Sequence, residues 1–141
     1  MSRDHTALRA FHLADDLAVC LYRETATFPP SERYGLQSQL RRAAVSVPAN
    51  IVEGSARRSQ SDYVRFLEIA LSSACEVDYL IGLCRRLEFL TEDAEARCRN
   101  CSTPTVRSLQ KLITYLTDHA RKATSPESEV LESVRSPASE V

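Results

Sequence analysis

Arginines are concentrated in one part of the chain, where phosphate binding would be their most direct chemistry. Between positions 33 and 65 there are six arginines against two carboxylates, Glu53 and Asp62. Clustered guanidinium groups can bind phosphate oxygens in a bidentate manner, which makes RNA or DNA the candidate ligand. Only Tyr34 and Tyr63 could interleave with bases, and no base-reading motif is present. The candidate nucleic-acid contacts are Arg41, Arg42, Arg57, Arg58 and Arg65.

A polar stripe runs along the same region when it is drawn as a helix at 100° per residue. It lies beside an apolar stripe, so its members face solvent only in part, and an unpaired buried polar group costs roughly 1–3 kcal/mol. We therefore expect a hydrogen-bonded seam with the next helix or with another subunit; a ligand or nucleic-acid groove is the alternative. The predicted seam residues are Gln39, Ser46, Asn50, Glu53, Gly54, Ser73 and Glu76.

Other chemistries lack the residues that they require. Cys98 and Cys101 would need a second pair or a nearby histidine to complete a tetrahedral zinc site, and neither follows in the sequence. Glu53 and Glu76 could be paired carboxylates, but neither belongs to the Glu-x-x-His motif of di-metal bundles. The three glycines stand alone, so no phosphate-cradling loop exists. We expect a non-enzymatic protein with no catalytic residue, metal, cofactor or small-molecule substrate.

Composition places the chain among single-domain helical proteins. Its 141 residues include 43% apolar and 26% charged residues, and the net charge is −1, which does not by itself require a nucleic-acid or membrane partner. No signal peptide and no apolar run of membrane-spanning length is present, which favours a cytoplasmic protein. The five cysteines then read as reduced thiols, with Cys20, Cys75 and Cys84 as small core residues.

Apolar periodicity predicts four helices and therefore an antiparallel up-down four-helix bundle over residues 1–123. The first is expected over about 6–27, the second from 31 or 32 to 55 and the third over 59–90. Pro48 should kink the second helix without reversing it. The fourth begins at Thr91 or Thr103, and Pro104 could divide it. Residues 124–141, rich in Ser, Pro and Glu, predict a disordered acidic tail.

The segment TFPPSERYGLQSQLRRAAVSVPANIVEGSARRSQSDYVRFLEIALSSACEVDYLI resembles a known family. It is similar to the bacterial four-helix-bundle proteins encoded within intervening sequences of large-subunit ribosomal RNA. The same superfamily is similar to the accessory variability protein of diversity-generating retroelements. The resemblance covers about 8–90 and is most specific at 50–54 and 65–67, whereas residues 91–123 match poorly.

This resemblance implies a bundle that assembles into a ring-shaped homopentamer. In the retroelement branch it implies binding of a reverse transcriptase and of nucleic acid through basic surface; no catalytic residues are implied. We therefore expect a self-assembling binding or scaffold subunit that contacts nucleic acid through its arginines. The alternatives are a reverse-transcriptase accessory protein and a purely structural module with a protein partner.

Overall fold

Four α-helices make up the part of the chain that the computed structural model describes, residues 3–124. They are α1 (Arg9–Glu24), α2 (Leu36–Ser55), α3 (Gln60–Arg86) and α4 (Glu92–Ala123). Two single 3₁₀ turns, His5–Ala7 and Pro30–Glu32, precede α1 and α2, and residues 3–124 contain no strand. The predicted all-α class is confirmed. Of the predicted acidic tail, only Thr124 lies within the described residues.

Each helix packs against two neighbours, so the four helices close around one core. α1 contacts α2 and α4, and α3 contacts the same two helices from the opposite side. Consecutive helices are neighbours in the bundle and run antiparallel, joined by the connections 25–35, 56–59 and 87–91, which confirms the up-down bundle. Leucine, isoleucine and valine fill the centre. The largest fully buried apolar side chains are Leu17, Leu21, Leu40, Val47, Ile51, Leu67, Val77, Ile81 and Leu109.

The second helix begins later than the sequence pattern predicts, because Glu32 caps it from outside. The chain first makes the 3₁₀ turn Pro30–Glu32 and then passes through Gly35. The Glu32 carboxylate accepts a hydrogen bond from the Leu36 amide at 2.9 Å. A carboxylate at this point satisfies an otherwise unpaired amide and complements the positive end of the helix dipole. The expected start at residue 31 or 32 was therefore about four residues early.

Neither internal proline ends its helix. α2 continues through Pro48, as expected, and α4 runs without a break through Pro104. The fourth helix begins at Thr91, whose hydroxyl accepts the Ala94 amide at 3.1 Å. Division at Pro104 was wrong because α4 buries residues on both sides of the proline. That burial offsets an interior proline's cost of about 3 kcal/mol.

The end of α3 depends on a residue in the left-handed conformation that is not glycine. Glu88 has φ of 65°, and its amide donates to the Arg85 carbonyl at 3.0 Å. The next amide, of Phe89, donates to the Cys84 carbonyl at 2.9 Å. This pair of hydrogen bonds is the Schellman arrangement, in which glycine is the usual residue. The predicted end of α3 at Leu90 was wrong because no glycine in the sequence marks the end of the helix at Arg86.

We expect Glu88→Gly to stabilise the fold by roughly 0.5–1 kcal/mol, because glycine adopts positive φ without a steric penalty. The matched control is Glu68→Gly, which places glycine on the exposed side of α3 and should destabilise by about 1 kcal/mol. Chemical denaturation followed by circular dichroism measures both changes. Destabilisation of similar size in both variants would contradict this explanation of the turn.

Candidate nucleic-acid interface

A groove between the end of α1 and the beginning of α2 combines cations with aromatic rings. Its volume is about 600 Å³. Three arginines and two tyrosines line it, and no carboxylate does. Guanidinium groups suit phosphates and exposed rings suit bases, which is how single-stranded nucleic acid is bound without sequence preference. We call it the α1–α2 groove, and its lining residues are Tyr22, Arg33, Tyr34, Gln37, Ser38, Arg41, Arg42, Val45 and Ser46.

Arg41 builds the wall of this groove by attaching α2 to the end of α1. Its Nε donates to the Thr25 hydroxyl at 2.9 Å, and a terminal nitrogen donates to the Tyr22 carbonyl at 3.1 Å. The guanidinium group also lies 4.4 Å from the centre of the Tyr22 ring. A cation at this point complements the negative end of the α1 dipole. Arg41 therefore has a structural task whether or not it also meets a ligand.

Arg42 and Arg33 are the cations of the groove that remain available to a ligand. Within residues 3–124, the Arg42 side chain makes no hydrogen bond or ion pair and is exposed. The Arg33 guanidinium lies 5.7 Å from the centre of the Tyr34 ring, and Tyr34 is 88% exposed. A large aromatic ring so open to water buries little apolar area in the folded chain. It could bury more by stacking on a ligand.

The other three predicted arginines lie near the opposite end of the bundle. Arg57 is 3.4 Å from the Glu53 carboxylate and 4.7 Å from the Phe66 ring centre. Arg65 is 3.8 Å from Asp62 and 5.2 Å from the same ring. Arg58 is exposed. Arg57 follows the end of α2, and the helix from Arg42 to Ser55 spans about 20 Å at 1.5 Å per residue. The five arginines therefore form two groups within one chain.

Arg3 joins the second group, and no sequence signal marked it. Its backbone amide donates to the Ser55 carbonyl at 2.9 Å, and its side chain donates to the Arg57 carbonyl at 2.9 Å and to Gln60 Oε1 at 3.0 Å. The guanidinium group lies 4.3 Å from the Tyr63 ring centre. The beginning of the described chain is thus attached to the turn between α2 and α3.

Polar side chains of α2 and α3 meet along one edge of the core. The Ser46 and Ser73 hydroxyls are 2.8 Å apart, and Asn50 Nδ2 donates to the Ser46 carbonyl at 2.7 Å and to its hydroxyl at 2.9 Å. Gln39 Nε2 reaches Glu76 Oε1 at 3.5 Å, a long contact. Two of these contacts, Ser46–Ser73 and Gln39–Glu76, cross between the helices, whereas the bonds of Asn50 stay within α2.

The two remaining seam residues behave differently from each other. Glu53 is exposed and pairs with Arg57, four residues later and just beyond the end of α2, so it does not cross to α3. Gly54 is buried where α2 packs directly against α3. A Cβ atom there would lie 2.8 Å from Phe66 Cβ and 3.4 Å from Tyr63 Cδ2. Real Cβ atoms do not approach another carbon so closely, so α2 and α3 can pack at this distance only around glycine.

Two polar clamps that the sequence analysis missed hold α4 in place. Arg97 donates to both carboxylate oxygens of Glu24 in α1, at 2.6 and 3.1 Å, and this pairing lowers the pKa of Glu24. On the other side, Arg99 and the buried Ser102 donate to the Asp78 carboxylate at 2.7 and 2.9 Å. Each pair joins residues distant in sequence, so helical spacing could not reveal it.

The cysteines are placed only partly as predicted. Cys84 is buried, and burial raises the pKa of its thiol to about 11. Cys75 is exposed, so its assignment to the core was wrong: it lies on the outer side of α3. Cys20 is half-buried and faces Cys98 and Cys101. Among residues 3–124, no group of three or more His, Cys, Asp or Glu side chains is arranged to hold a metal ion.

The described helices also include none that is long and apolar enough to cross a lipid bilayer. The architecture is that of a small antiparallel four-helix bundle with an arginine- and tyrosine-lined groove at one end.

The chain belongs to the 23S rRNA-intervening sequence protein family, whose sequence model matches residues 6–111. This match extends well into α4, beyond the segment in which the resemblance was evident from the sequence. Among solved structures, the chain is similar to a protein of unknown function from the S23 ribosomal protein family of Bacteroides thetaiotaomicron VPI-5482. The two share 26% identity with a TM-score of 0.67, over 74% of this chain and 95% of the other. No curated protein matches the chain.

We expect Gly54→Ala to destabilise the fold by about 1–3 kcal/mol, because the new methyl group would force α2 and α3 apart. The matched control is Gly82→Ala in α3, where the nearest atom to the added Cβ is the flexible end of Arg99, 3.0 Å away. There the gain in helix propensity should leave the protein unchanged or more stable. Thermal and chemical denaturation compare the two variants. An unchanged melting temperature for Gly54→Ala would contradict the close approach.

Proposed function

We propose that this chain is a non-enzymatic scaffold subunit that associates with copies of itself and binds single-stranded nucleic acid in the α1–α2 groove. The observation that carries the proposal is the composition of that groove: three guanidinium groups and two tyrosine rings without a carboxylate. A phosphate entering it would meet no repulsive charge from the lining residues. Positive grooves with exposed aromatic rings are characteristic of proteins that bind single strands through backbone and base stacking.

The contacts within the groove indicate different roles for its arginines and for Tyr34. Arg41 is held by Thr25 and Tyr22, so its positive charge is fixed in place and adds to the local potential. Arg42 and Arg33 can reorient toward phosphate oxygens, because neither guanidinium group forms a hydrogen bond or ion pair with another described residue. The exposed ring of Tyr34 is the stacking surface. One groove offers few contacts, so tight binding would require several grooves on one strand.

Self-association supplies those additional grooves. The side of α2 opposite the core carries a row of small apolar residues at helical spacing, and Val45 and Val52 are 43% and 39% exposed. Rows of this kind let a second helix approach closely, and the family resemblance implies a homopentameric ring. The row, which we call the outer stripe of α2, consists of Val45, Ala49, Val52 and Ala56. A second copy of this chain is the partner that we propose for it.

The proposed binding has a definite dependence on salt. Anisotropy titrations with fluorescently labelled oligo(U) and oligo(dT) should show affinity falling as salt rises from about 50 to 200 mM, because each phosphate contact releases counterions. Arg42→Ala should weaken binding and make the slope of log K against log salt shallower by about 0.7 per phosphate lost. Tyr34→Ala should weaken binding by roughly fivefold or more, equivalent to about 1 kcal/mol of stacking.

The control for this titration is Arg58→Ala, which removes an exposed arginine from the other group. Its affinity should remain within twofold of the unmodified protein. Failure of both oligonucleotides to bind at about 50 mM salt would refute the proposal, since electrostatic binding is strongest there. Weaker binding by Arg58→Ala with no change in Arg42→Ala would move the interface to the α2–α3 turn.

Self-association is tested separately by sedimentation velocity over a range of protein concentrations. The chain should sediment as a species larger than one subunit, and Val52→Glu should shift it toward the monomer, because burying an unpaired carboxylate in an interface is costly. Val19→Glu is the matched control, since Val19 is similarly exposed, at 44%, but lies on α1. A wild-type chain that sediments as a monomer at about 100 μM, well above typical subunit affinities, would refute this part of the proposal.

A further inference from the structure

Three cysteines that are distant in sequence meet where α1 packs against α4. Cys20 lies in α1, and Cys98 and Cys101 lie one turn apart in α4. Burial and, after it, the nearby Cys20 raise the pKa of the Cys98 and Cys101 thiols, and Cys20 lines the same surface concavity as Cys101. It also lies 3.9 Å from the carbonyl oxygen of Arg97. The sequence alone placed only Cys98 and Cys101 close together. The packing of α1 on α4 brings Cys20 beside them.

The bidentate ion pair beside these thiols fixes their relative position. Glu24, one turn after Cys20, binds Arg97, which directly precedes Cys98. With that pair formed, α1 and α4 cannot slide past each other without breaking two short hydrogen bonds. Cys20 and Cys101 lie on adjacent packed helices and line the same concavity, which is the arrangement that a disulfide between α1 and α4 requires.

Access to solvent distinguishes the three thiols. A concavity of about 490 Å³ at the surface is lined by Cys20 and Cys101, together with Arg23, Asn100 and other residues of α1 and α4. Cys98 has no exposed surface and does not line it. A small oxidant that enters the concavity therefore meets Cys20 and Cys101 and not Cys98.

We infer that Cys20 and Cys101 form an oxidation site, at which peroxide converts the two thiols into a reversible disulfide that joins α1 to α4. This inference does not depend on nucleic-acid binding or on self-association. It concerns a different helix pair from the outer stripe of α2, and the joined residues do not line the α1–α2 groove.

The reaction is balanced with hydrogen peroxide as the oxidant. The thiolate of one of the two cysteines attacks a peroxide oxygen, the O–O bond breaks, and hydroxide leaves and is protonated to water, giving a sulfenic acid. The sulfur of the other cysteine then attacks the sulfenic sulfur, the S–O bond breaks, and a second water leaves as the S–S bond forms. Two thiols and one peroxide thus give one disulfide and two waters, and the two thiols supply the two electrons.

Burial makes the reaction slow at neutral pH. It raises the pKa of the Cys101 thiol to about 11 and also raises that of Cys98. Since the thiolate is the reactive form, oxidation should be carried out at about pH 8.5, near the pKa of an ordinary cysteine.

Trypsin separates the candidate sulfurs, which makes peptide mapping decisive. Cleavage after Arg9, Arg23, Arg97, Arg99 and Arg107 places Cys20 in residues 10–23, Cys98 in residues 98–99 and Cys101 in residues 100–107. The reduced full chain is treated with hydrogen peroxide, remaining thiols are alkylated, and the digest is analysed by mass spectrometry. We expect a cross-linked pair of the peptides 10–23 and 100–107, absent after reduction with dithiothreitol.

Thermal denaturation provides a second measurement on the same samples. A cross-link between residues 20 and 101 closes a long loop in the unfolded chain, so oxidation should raise the melting temperature by about 5–15 °C, reversibly. Cys101→Ser should lose both the cross-link and the rise, and Cys75→Ser, which removes an exposed thiol elsewhere, should keep both. Reduced Cys101→Ser serves as the folding control, since its circular dichroism should match that of the reduced wild type.

Three results would overturn the inference. One is a digest in which residues 10–23 and 100–107 remain separately alkylated after peroxide treatment. A second is a cross-link from residues 10–23 to residues 98–99 in place of the expected pair. The third is a wild-type cross-link that leaves the melting temperature unchanged, which would mean that the disulfide forms only after the helices separate.

Discussion

The close approach of α2 and α3 at Gly54 is the contact on which the rest of this bundle depends. Because residue 54 has no Cβ, the backbone of α2 can lie directly against the Cβ of Phe66 and the ring of Tyr63. Two further contacts join the same helix pair. The hydroxyls of Ser46 and Ser73 meet about two turns from Gly54, and the side chains of Gln39 and Glu76 meet farther along the helices. Steric fit therefore fixes the distance between the helices, and the hydroxyl pair fixes their register. Once the rotation of α2 is set, so are the directions of its outer stripe and of the arginines in the α1–α2 groove.

The sequence predicted those features that depend on helical periodicity alone. Four amphipathic stripes indicated four helices, the third was expected to begin at residue 59, which is the N-cap of α3, and the continuity of the stripe through Pro48 indicated that α2 does not reverse. Features that depend on a particular tertiary contact were missed. Glu88 adopts a left-handed backbone conformation that its residue type does not indicate. α4 continues through Pro104 because side chains buried on both sides of the proline stabilise the helix.

The predictions for the candidate site also missed what depends on tertiary contacts, in this case contacts between side chains. Composition identified an arginine-rich region, but it could not tell which arginines have internal partners. Arg41 is attached to the end of α1, Arg57 to Glu53, and only Arg42 and Arg58 of the five predicted contacts combine exposure with the absence of a hydrogen-bonded or ionic partner among residues 3–124. Tyr22 lines the groove because α1 ends beside the beginning of α2. This proximity is a property of the fold and could not be read from the sequence. Cys20 likewise became relevant to Cys98 and Cys101 only through the packing of α1 on α4.

An even number of antiparallel helices has a practical consequence for handling this protein. Arg3 is bound to the end of α2, and Thr124 follows the end of α4, so both limits of the described chain lie at the end of the bundle that carries the α2–α3 turn. The α1–α2 groove lies at the opposite end, beside Thr25 and Glu32. A fluorescent label or a surface tether attached directly at residue 3 or residue 124 would therefore sit about one helix length away from the groove. Immobilisation at either residue should present the groove outward, toward whatever flows across the surface.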